Sequence, residues 1–368
     1  GINASVTSLT LASATSFPSS GTVIIGAELI TYSSKSGNTL SGLSRGASGT
    51  TAAIHSDGAQ VIDAATYAGF GAAPSGDIVT APGLWSLDNF GNKLVATIFG
   101  GESFTWDADD ANAVTTRAAI ASGAPTASRD MLVSTPDRHL VFFGTETTIG
   151  TKSTQDQMFI RFSDQEDITS YTPTANNTAG TQRLADGSRI MGALRGRNAI
   201  YVWTDTALFL MRFVGAPFTF AFEQVGTNCG LIGKNAAVEV DGTVYWMSEN
   251  GFFRYGGQLE SLPCLVEDFV FDDLNTVTKQ HVNAGLNNLY GEINWFYVSS
   301  GANTVNRVVT YNYFDSTDKR PVWTTGTLDR TAWSDSAIFG KPHATQYDTS
   351  TNGSSTSSTY VEGNTDGV

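Results

Sequence analysis

The stretch from Ile190 to Val225 contains four apolar runs separated by short turns: Ile190-Met-Gly-Ala-Leu-Arg195, Asn198-Ala-Ile-Tyr-Val-Trp203, Leu208-Phe-Leu-Met-Arg-Phe213 and Thr219-Phe-Ala-Phe-Glu-Gln-Val225. The turns between them contain Gly, Asp and Pro, which are residues that let a chain reverse its direction. Each run is nearly continuously apolar, as expected for a strand that is covered on both faces. The stretch therefore predicts one blade of four strands with an aromatic core.

Similar strand-turn-strand units, rich in Trp, Tyr and Phe, occur five times between residues 85 and 315. Equivalent points in them are Leu94, Leu140, Ile200, Val244 and Ile293, which are 46, 60, 44 and 49 residues apart. These spacings are close to the length of a propeller blade. The 38 Gly residues and the 11% aromatic share also suit many short strands joined by tight turns. The sequence predicts an all-β protein, a β-propeller of about five to six blades.

The first 65 residues are predicted to form a separate small β-domain. Its strands are Thr22-Val-Ile-Ile25 and Glu28-Leu-Ile-Thr-Tyr32, followed by a Ser36-Gly-Asn38 turn into Thr39-Leu-Ser-Gly-Leu43. Gly and Asn accept the positive φ that a tight hairpin requires. Gly and Pro then accumulate over residues 64–83, as in a linker, which places the domain boundary near residue 66.

The propeller domain is expected to cover residues 66–368. The chain becomes rich in Ser, Thr and Gly between Asp348 and Thr359, and its last residue is Val368. A propeller has to close its ring. We therefore expect the closing strand to come either from the N-terminal segment or from residues that continue beyond Val368.

The charge of the chain argues against a nucleic-acid-binding protein. The net charge is -14 with an isoelectric point near 4.6, and the 21 Lys and Arg residues are scattered. Binding to phosphates requires clustered cations. No apolar stretch approaches the roughly 20 residues that a membrane-spanning helix needs, so no membrane span is expected.

Residue types that carry catalysis or bind metals are sparse. Cys229 and Cys264 form neither a close metal-ligand pair nor a disulfide framework, and we expect two buried thiols. The four histidines lie far apart and lack metal-site spacing: His55, His139, His281 and His343. His139 is interpreted as a strand-end residue. The sequence therefore predicts no metal, no cofactor and no enzymatic activity.

Two acidic segments are the candidate functional sites. One contains Asp107, Asp109 and Asp110, and the other contains Asp164, Glu166 and Asp167 directly after an apolar run. The carboxylates of the second segment could form an acid/base pair of the kind that a glycosidase needs. The favoured interpretation of that segment is a solvated loop between strands.

A single helix is predicted over Leu265–Leu274, in a connection between two blades. Leu265, Phe269, Val270 and Leu274 fall at the spacing of one helical face. We therefore expect a helix with one apolar face that bridges two blades.

Several segments resemble a known family. They are Trp85-Ser-Leu-Asp-Asn-Phe-Gly91, Arg161-Phe-Ser-Asp-Gln-Glu-Asp167, Thr172-Pro-Thr-Ala-Asn-Asn-Thr-Ala-Gly180, Trp203-Thr-Asp-Thr206, Gly215-Ala-Pro-Phe-Thr-Phe220, Tyr245-Trp-Met247 and Arg330-Thr-Ala-Trp333. With these segments, residues 85–340 resemble the propeller proteins of bacteriophage tails, the tail nozzle or tail hub family of short-tailed phages (tail tubular protein B-like). The segments at residues 20–32 and 43–53 are similar to a small β-module that recurs in phage tail proteins.

This resemblance implies a structural protein of the virion tail. Members of the family form a six-fold ring below the portal and the adaptor, with a channel for genome ejection. The expected partners are other copies of the chain, adaptor and portal-side proteins, and tail fibre or needle proteins. Double-stranded DNA would pass through without sequence-specific binding. The acidic loops would then line the channel or a subunit contact, since acidic side chains repel phosphate.

Two other functions remain open at this stage. A peripheral receptor-binding propeller would use its exposed loops for recognition. A glycan-cleaving propeller would need a Ser-x-Asp-x-Gly-x-Thr-Trp repeat, to which Ser248-Glu-Asn-Gly251 is the nearest approach, without the Asp and the Trp.

Overall fold

The computed structural model describes residues 1–15, 17–26, 28–64, 84–110, 117–135, 137–317, 319–335, 341–351 and 354–361, with the backbone alone from residue 347 onward. The chain divides into two compact units, Gly1–Val79 and Thr80–Val368. The boundary predicted near residue 66 lies outside the described residues and stays a prediction.

The described residues of the first unit form six short strands: β1 Ser8–Thr10, β2 Gly21–Ile25, β3 Glu28–Tyr32, β4 Ser34–Ser36, β5 Thr39–Ser41 and β6 Ile62–Asp63. They form two three-stranded sheets, ordered β1-β5-β4 and β3-β2-β6. The hairpin expected around Ser36-Gly-Asn38 is present, with Ser36 opposite Thr39 and Gly37 at φ 55°. Side chains that alternate along β2 and β3, such as Val23, Ile25 and Ile30, make the core of this unit.

A buried carboxylate, Glu28, joins the segment between β5 and β6 to strand β3. Its oxygens accept hydrogen bonds from Arg45 Nε at 2.8 Å and Arg45 Nη2 at 2.7 Å, and from the backbone N–H groups of Gly46 and Ala53, both at 3.0 Å. His55 Nε2 lies 2.7 Å from the same carboxylate. The Arg45 guanidinium, helped by these backbone and His55 hydrogen bonds, holds the pKa of Glu28 far below its ordinary value of 4.5.

We expect the stability of the first unit to depend on pH through Glu28. Because the folded pKa is depressed, the carboxylate stabilises the unit above about pH 4.5, and this stabilisation is lost as the pH falls below that value. Glu28→Gln should destabilise the unit by about 2 kcal/mol near neutral pH. The difference from wild type should shrink at about pH 3. Hydrogen–deuterium exchange of peptides from β2 and β3 at increasing urea concentration measures the stability of both proteins at each pH. A stability difference between wild type and Glu28→Gln that does not change with pH would contradict the role of the charge.

The second unit is a β-propeller. Its first three four-stranded blades are blade 1, with β7 Trp85–Phe90, β8 Lys93–Ile98, β9 Ser103–Asp107 and β10 Ala119–Ile120; blade 2, with β11 Asp130–Ser134, β12 His139–Phe143, β13 Phe159–Phe162 and β14 Gly180–Arg183; and blade 3, with β15 Ile190–Arg195, β16 Ile200–Thr204, β17 Ala207–Gly215 and β18 Thr219–Thr227. Blade 3 confirms the four strands predicted from residues 190–225.

Two more four-stranded blades and a three-stranded sheet follow. They are blade 4, with β19 Ala237–Val240, β20 Thr243–Ser248, β21 Gly251–Tyr255 and β22 Leu259–Leu262; blade 5, with β23 Asn283–Asn287, β24 Glu292–Tyr297, β25 Arg307–Thr317 and β26 Arg320–Gly326; and blade 6, with β27 Ala332–Ser334, β28 His343–Thr351 and β29 Ser354–Val361. Short 3-10 helices occur at Ala47–Gly49, Lys152–Thr154 and Lys279–His281. These sheets agree with the predicted five to six blades. The source of a closing strand stays a prediction.

The aromatic runs form the core between blades, as the sequence predicts. Trp203, Trp246 and Trp295, in the second strands of blades 3, 4 and 5, are completely buried. Trp203 and Trp246 contact each other edge to face, with ring centroids 5.6 Å apart. The indole N–H of Trp246 donates to the Cys229 carbonyl, and that of Trp295 donates to the Ala236 carbonyl. These two bonds fix the chain segment between blades 3 and 4.

The predicted helix exists, and its apolar residues are only partly buried. Helix α1 spans Glu267–Asp273 in the connection between blades 4 and 5. Val270 and Leu274 are buried, whereas Leu265 is 77% exposed and Phe269 is 52% exposed. The reason is that a helix of two turns touches the propeller along one narrow stripe, which Val270 and Leu274 already fill. No helix among the described residues is long and apolar enough to cross a membrane.

Candidate functional site

The acidic loop of blade 1 begins where β9 ends. Asp107 lies 3.8 Å from Lys93 Nζ, and both side chains are nearly half exposed. The Asp107 carboxylate also accepts a hydrogen bond from the backbone N–H of Asp109 at 3.0 Å. Asp109 in turn accepts from the side-chain amide of Asn92, which stands in the turn between β7 and β8. Asp109 and Asp110 are exposed, so this loop presents negative charge to solvent.

The acidic loop of blade 2 follows β13, and its three carboxylates turn to three different partners. Asp164 accepts hydrogen bonds from the N–H and hydroxyl of Thr178 and from the N–H of Gln165. The Thr178 hydroxyl bond is the main cause that lowers the pKa of Asp164. Glu166, at φ 61°, pairs with Arg138 at 2.9 Å, and Asp167 accepts from Thr169. The loop therefore does not bring two carboxylates together on one reacting point.

The two acidic loops lie on one face of the propeller, in neighbouring blades. Both follow the third strand of a blade, and in a four-stranded meander that point shares an edge with the turn between the first two strands. Arg138 Nη1 lies 3.6 Å from the position that a Cβ atom on Gly91 would occupy. The turn of blade 1 therefore approaches the Arg138–Glu166 pair. We call the surface formed by Asp107, Asp109, Asp110, Asp164, Glu166 and Asp167 the acidic face.

A buried histidine supports the blade 2 part of this face. His139, which is completely buried, lies with Nδ1 2.7 Å from Asp137 Oδ2 and with Nε2 3.0 Å from Thr178 Oγ1. The other oxygen of Asp137 accepts from the Ser134 hydroxyl at 2.9 Å. These distances are those of an Asp-His-hydroxyl triad, so the directions of the hydrogen bonds decide what the arrangement can do.

Counting hydrogens shows that Thr178 is not activated. Its hydroxyl hydrogen points to Asp164 Oδ1 at 2.6 Å, and one of its lone pairs accepts from the N–H of Gln165 at 2.8 Å. Nε2 of His139 must therefore donate to Thr178. The Thr178 hydroxyl gives its hydrogen to Asp164 and not to His139, so the arrangement holds the loop to the strand and does not prepare a nucleophile. His139 is the first residue of β12, which agrees with its interpretation as a strand-end residue.

The hairpin of β17 and β18 in blade 3 packs against His139 and Thr178. Phe213 and Phe220 contact the His139 ring, with centroids 5.8 and 5.2 Å away. The Thr219 hydroxyl donates to the Thr178 carbonyl at 3.0 Å. Beyond these contacts the turn of the hairpin is apolar and exposed, with Val214 at 54% and Phe218 at 77%. An apolar turn therefore stands beside the acidic face.

The propeller axis is the second polar region of the molecule. The first strands of blades 1, 2 and 3 are joined there by side-chain bonds between blades. Asp88 of blade 1 accepts from the Val133 N–H of blade 2 and from Arg195 Nη1 of blade 3, both at 2.8 Å. Asp130 of blade 2 accepts from the Ser86 hydroxyl at 2.7 Å and the Ala193 N–H at 2.9 Å.

Lys234, in the connection between blades 3 and 4, completes this arrangement. Its ammonium lies 3.2 Å from Asp130 Oδ1 and donates to the Trp85 carbonyl and the Ser86 hydroxyl. The Lys234 and Asp130 side chains are 8% and 5% exposed, so their attraction is weakly screened by solvent. Lys234 and Asn235 line two cavities of about 360 and 280 Å³, and Asp130 lines the larger of these two.

The sequence reasoning missed this group at the axis. Asp88, Asp130 and Lys234 are single charges inside or beside apolar runs, and their proximity follows from the ring arrangement of the blades. The only available signal was an Asp within the first strand of two consecutive blades. Cys229 is buried and Cys264 is half-buried, and burial raises their thiol pKa values to about 11 and about 12. Within the described ranges, no three His, Cys, Asp or Glu side chains are placed to hold a metal ion.

Comparisons with known proteins find matches among solved structures. No protein-family model matches the chain, and no curated protein matches it. Among solved structures it is similar to the N-terminal domain of Nup159, with a TM-score of 0.43 and 10% identity over 75% of this chain and 73% of that one. It is also similar to Sqt1 of Saccharomyces cerevisiae, with a TM-score of 0.42 and 8% identity over 75% and 84%. For the β-propeller domain of Cps50 (Swd1) of Myceliophteria thermophila the values are 0.39 and 10% over 70% and 77%.

The four-stranded sheets of the second unit define this chain as a β-propeller protein. Similarities at this level of identity say nothing about activity, partners or location.

Proposed function

We propose that this propeller is a structural protein of a bacteriophage tail, a subunit of the nozzle or hub ring through which the genome leaves the particle. The sequence segments that resemble this family, such as Arg161–Asp167 and Thr172–Gly180, are its starting point. The three solved structures named above are not phage proteins by their names, so they add nothing to this assignment. Its partners would be further copies of the chain, in a ring of six, together with adaptor and fibre or needle proteins.

The observation that carries the proposal is the acidic face. Six carboxylates from two blades stand on one side of the propeller, and on the blade 2 side Asp164 and Asp167 are held by neighbouring Thr178 and Thr169. The six carboxylates outnumber the two cations paired with them, Lys93 and Arg138, so the face carries net negative charge. Such a surface repels the phosphates of passing DNA and keeps the genome from adhering. If the acidic face borders the lumen of a ring, the net charge of -14 helps DNA to pass through that ring without adhering.

Charge reversal on the acidic face tests this role. The variant carries Asp109→Lys, Asp110→Lys, Glu166→Lys and Asp167→Lys. We expect particles with this variant to release DNA about tenfold more slowly at low salt, because the lumen would attract phosphate, and to recover at high salt. Release is measured by the fluorescence of a DNA dye after ejection is triggered.

The matched control reverses four exposed carboxylates elsewhere: Asp57→Lys, Glu223→Lys, Glu249→Lys and Glu260→Lys. It should eject normally. Sedimentation of the purified ring, before and after substitution, separates a lumen role from a subunit contact, since only the contact would alter assembly. Unchanged ejection together with unchanged assembly would contradict both.

A peripheral receptor-binding role is the second candidate. The observation that favours it is the exposed apolar turn with Val214 and Phe218, because aromatic side chains at loop tips are typical anchors for recognition. Cryo-electron microscopy of the particle distinguishes the two. Six copies around an axial channel support a nozzle, whereas three-fold or peripheral placement supports an adhesin.

A further inference from the structure

The connection between blades 4 and 5 is larger than ring geometry requires. It covers residues 263–282, whereas the other connections between consecutive blades cover only 121–129, 184–189, 228–236 and 327–331. It also holds α1, the only α-helix among the described residues. A few residues are enough to pass from one blade to the next, so the extra residues of this connection form an additional surface.

That surface is apolar on its outer side. Leu265, in the turn before the helix, is 77% exposed, and Phe269, in the helix, is 52% exposed. Val270, the next residue of the helix, is completely buried. Phe271 packs on Phe252 of blade 4, with ring centroids 5.8 Å apart. The helix is thus anchored from beneath, which fixes the exposed side chains in place.

The outer side is also acidic. Asp268 and Asp272 are exposed and lie four residues apart in the helix, so they share one side of it, and Asp272 lies three residues after Phe269. The acid at the end of the helix, Asp273, is turned inward to Arg307 at 3.3 Å and Tyr297 Oη at 3.4 Å. The nearby cation Lys279 is paired with Glu249. We call Leu265, Asp268, Phe269 and Asp272 the α1 surface.

The chemistry of the α1 surface restricts what can cover it. Anionic lipid headgroups and nucleic acid would be repelled by Asp268 and Asp272. An uncharged apolar partner would leave both carboxylates desolvated without a counter-ion. A segment with Lys or Arg beside an aliphatic or aromatic side chain would cover the apolar side chains of the α1 surface and also pair with its carboxylates.

We infer that the α1 surface docks a cationic amphipathic segment of a partner protein, with apolar side chains on Leu265 and Phe269 and Lys or Arg side chains on Asp268 and Asp272. The inference rests on the proposed role as an assembly scaffold and gives that scaffold a second contact, separate from the acidic face. A basic segment of an adjacent tail component is the class of partner that fits.

A model peptide tests this docking. The probe is a fluorescein-labelled amphipathic helix of Leu and Lys, roughly 18 residues long so that it is helical, and its affinity for the full chain is measured by fluorescence anisotropy. A peptide with Glu in place of every Lys is the charge control. We expect the Lys peptide to bind, the Glu peptide not to bind, and Leu265→Ser/Phe269→Ser to weaken binding at least about tenfold.

The matched control variant is Val214→Ser/Phe218→Ser, because these two side chains are 54% and 77% exposed and so resemble Phe269 and Leu265. It should bind the Lys peptide like wild type. Asp268→Asn/Asp272→Asn should weaken binding at low salt and flatten its salt dependence. Circular dichroism checks that every variant is folded.

Three results would overturn the inference. Equal binding by the two serine variants would mean that the peptide attaches to acidic surface in general. Equal binding of the Glu peptide would remove the charge argument. Conversion of an oligomer to monomers by Leu265→Ser/Phe269→Ser alone, seen by sedimentation, would make the α1 surface a contact between copies. The nozzle proposal fails separately, if wild-type particles lack the axial ring while the peptide still binds at α1.

Discussion

Replacement of Lys234 by Met is expected to lower the free energy of unfolding of the propeller by about 3 kcal/mol. Met keeps the aliphatic stem but removes the ammonium that lies 3.2 Å from Asp130 and that bonds Trp85 and Ser86 of blade 1. Asp130 then remains buried with only neutral donors. The loss is measured by guanidinium denaturation, with tryptophan fluorescence and circular dichroism required to coincide.

A surface pair provides the control for this substitution. Lys93 and Asp107 are nearly half exposed and 3.8 Å apart, so Lys93→Met should cost no more than about 0.5 kcal/mol. The double variant Lys234→Met/Asp130→Asn should be more stable than the sum of its single changes predicts, by at least about 1 kcal/mol, because it removes both members of the buried pair. Simple additivity would mean that the two charges do not interact at the axis.

Truncation of Trp295 to Ala is expected to cost about 4 kcal/mol. Its ring is completely buried and contacts Phe252 at 5.0 Å and Trp323 at 6.0 Å between ring centroids, so Ala leaves a cavity at the junction of blades 4 and 5. The Ala236 carbonyl also loses its hydrogen-bond donor inside the core. The same denaturation experiment measures the effect.

Trp85 is the matched control for Trp295. It is also the large aromatic residue of a propeller strand, but its side chain is 45% exposed, and Trp85→Ala should cost about 1 kcal/mol. The loss of stability for Trp295→Phe should fall between those of Trp295→Ala and Trp85→Ala, since Phe keeps most of the ring volume and loses the indole N–H. Equal losses for the two alanine variants would show that the core between blades does not depend on aromatic packing.

The blade at residues 190–225 could be predicted because its signals are local. Apolar strands of five to nine residues, such as β16 and β17, are separated by short turns, and each strand forms wherever neighbouring sheets cover both of its faces. The helix at 267–273 was predicted for the same reason. Its packing was not, because periodicity shows which residues share a face and cannot show how much of that face finds a neighbour.

The candidate site divides in the same way. The carboxylates of the acidic face are visible in the sequence, but their placement on one face depends on the order and direction of the blades. The hydrogen-bond directions around His139 depend on Thr178, which lies 39 residues away in the chain. No local pattern records such a pairing.

The sequence by itself determined that this protein is all-β, that its second unit is built of repeated blades, and that its surface is acidic, because strand propensity, turn chemistry and charge are properties of short segments. Only the tertiary structure decided that Arg195 meets Asp88 across 107 residues, that Lys234 joins blades 1 and 2 to the connection between blades 3 and 4, and that Leu265 and Phe269 stay exposed. Those outcomes depend on which strands meet at the axis and on how much surface each element covers. Both depend on contacts between residues that lie far apart in the sequence.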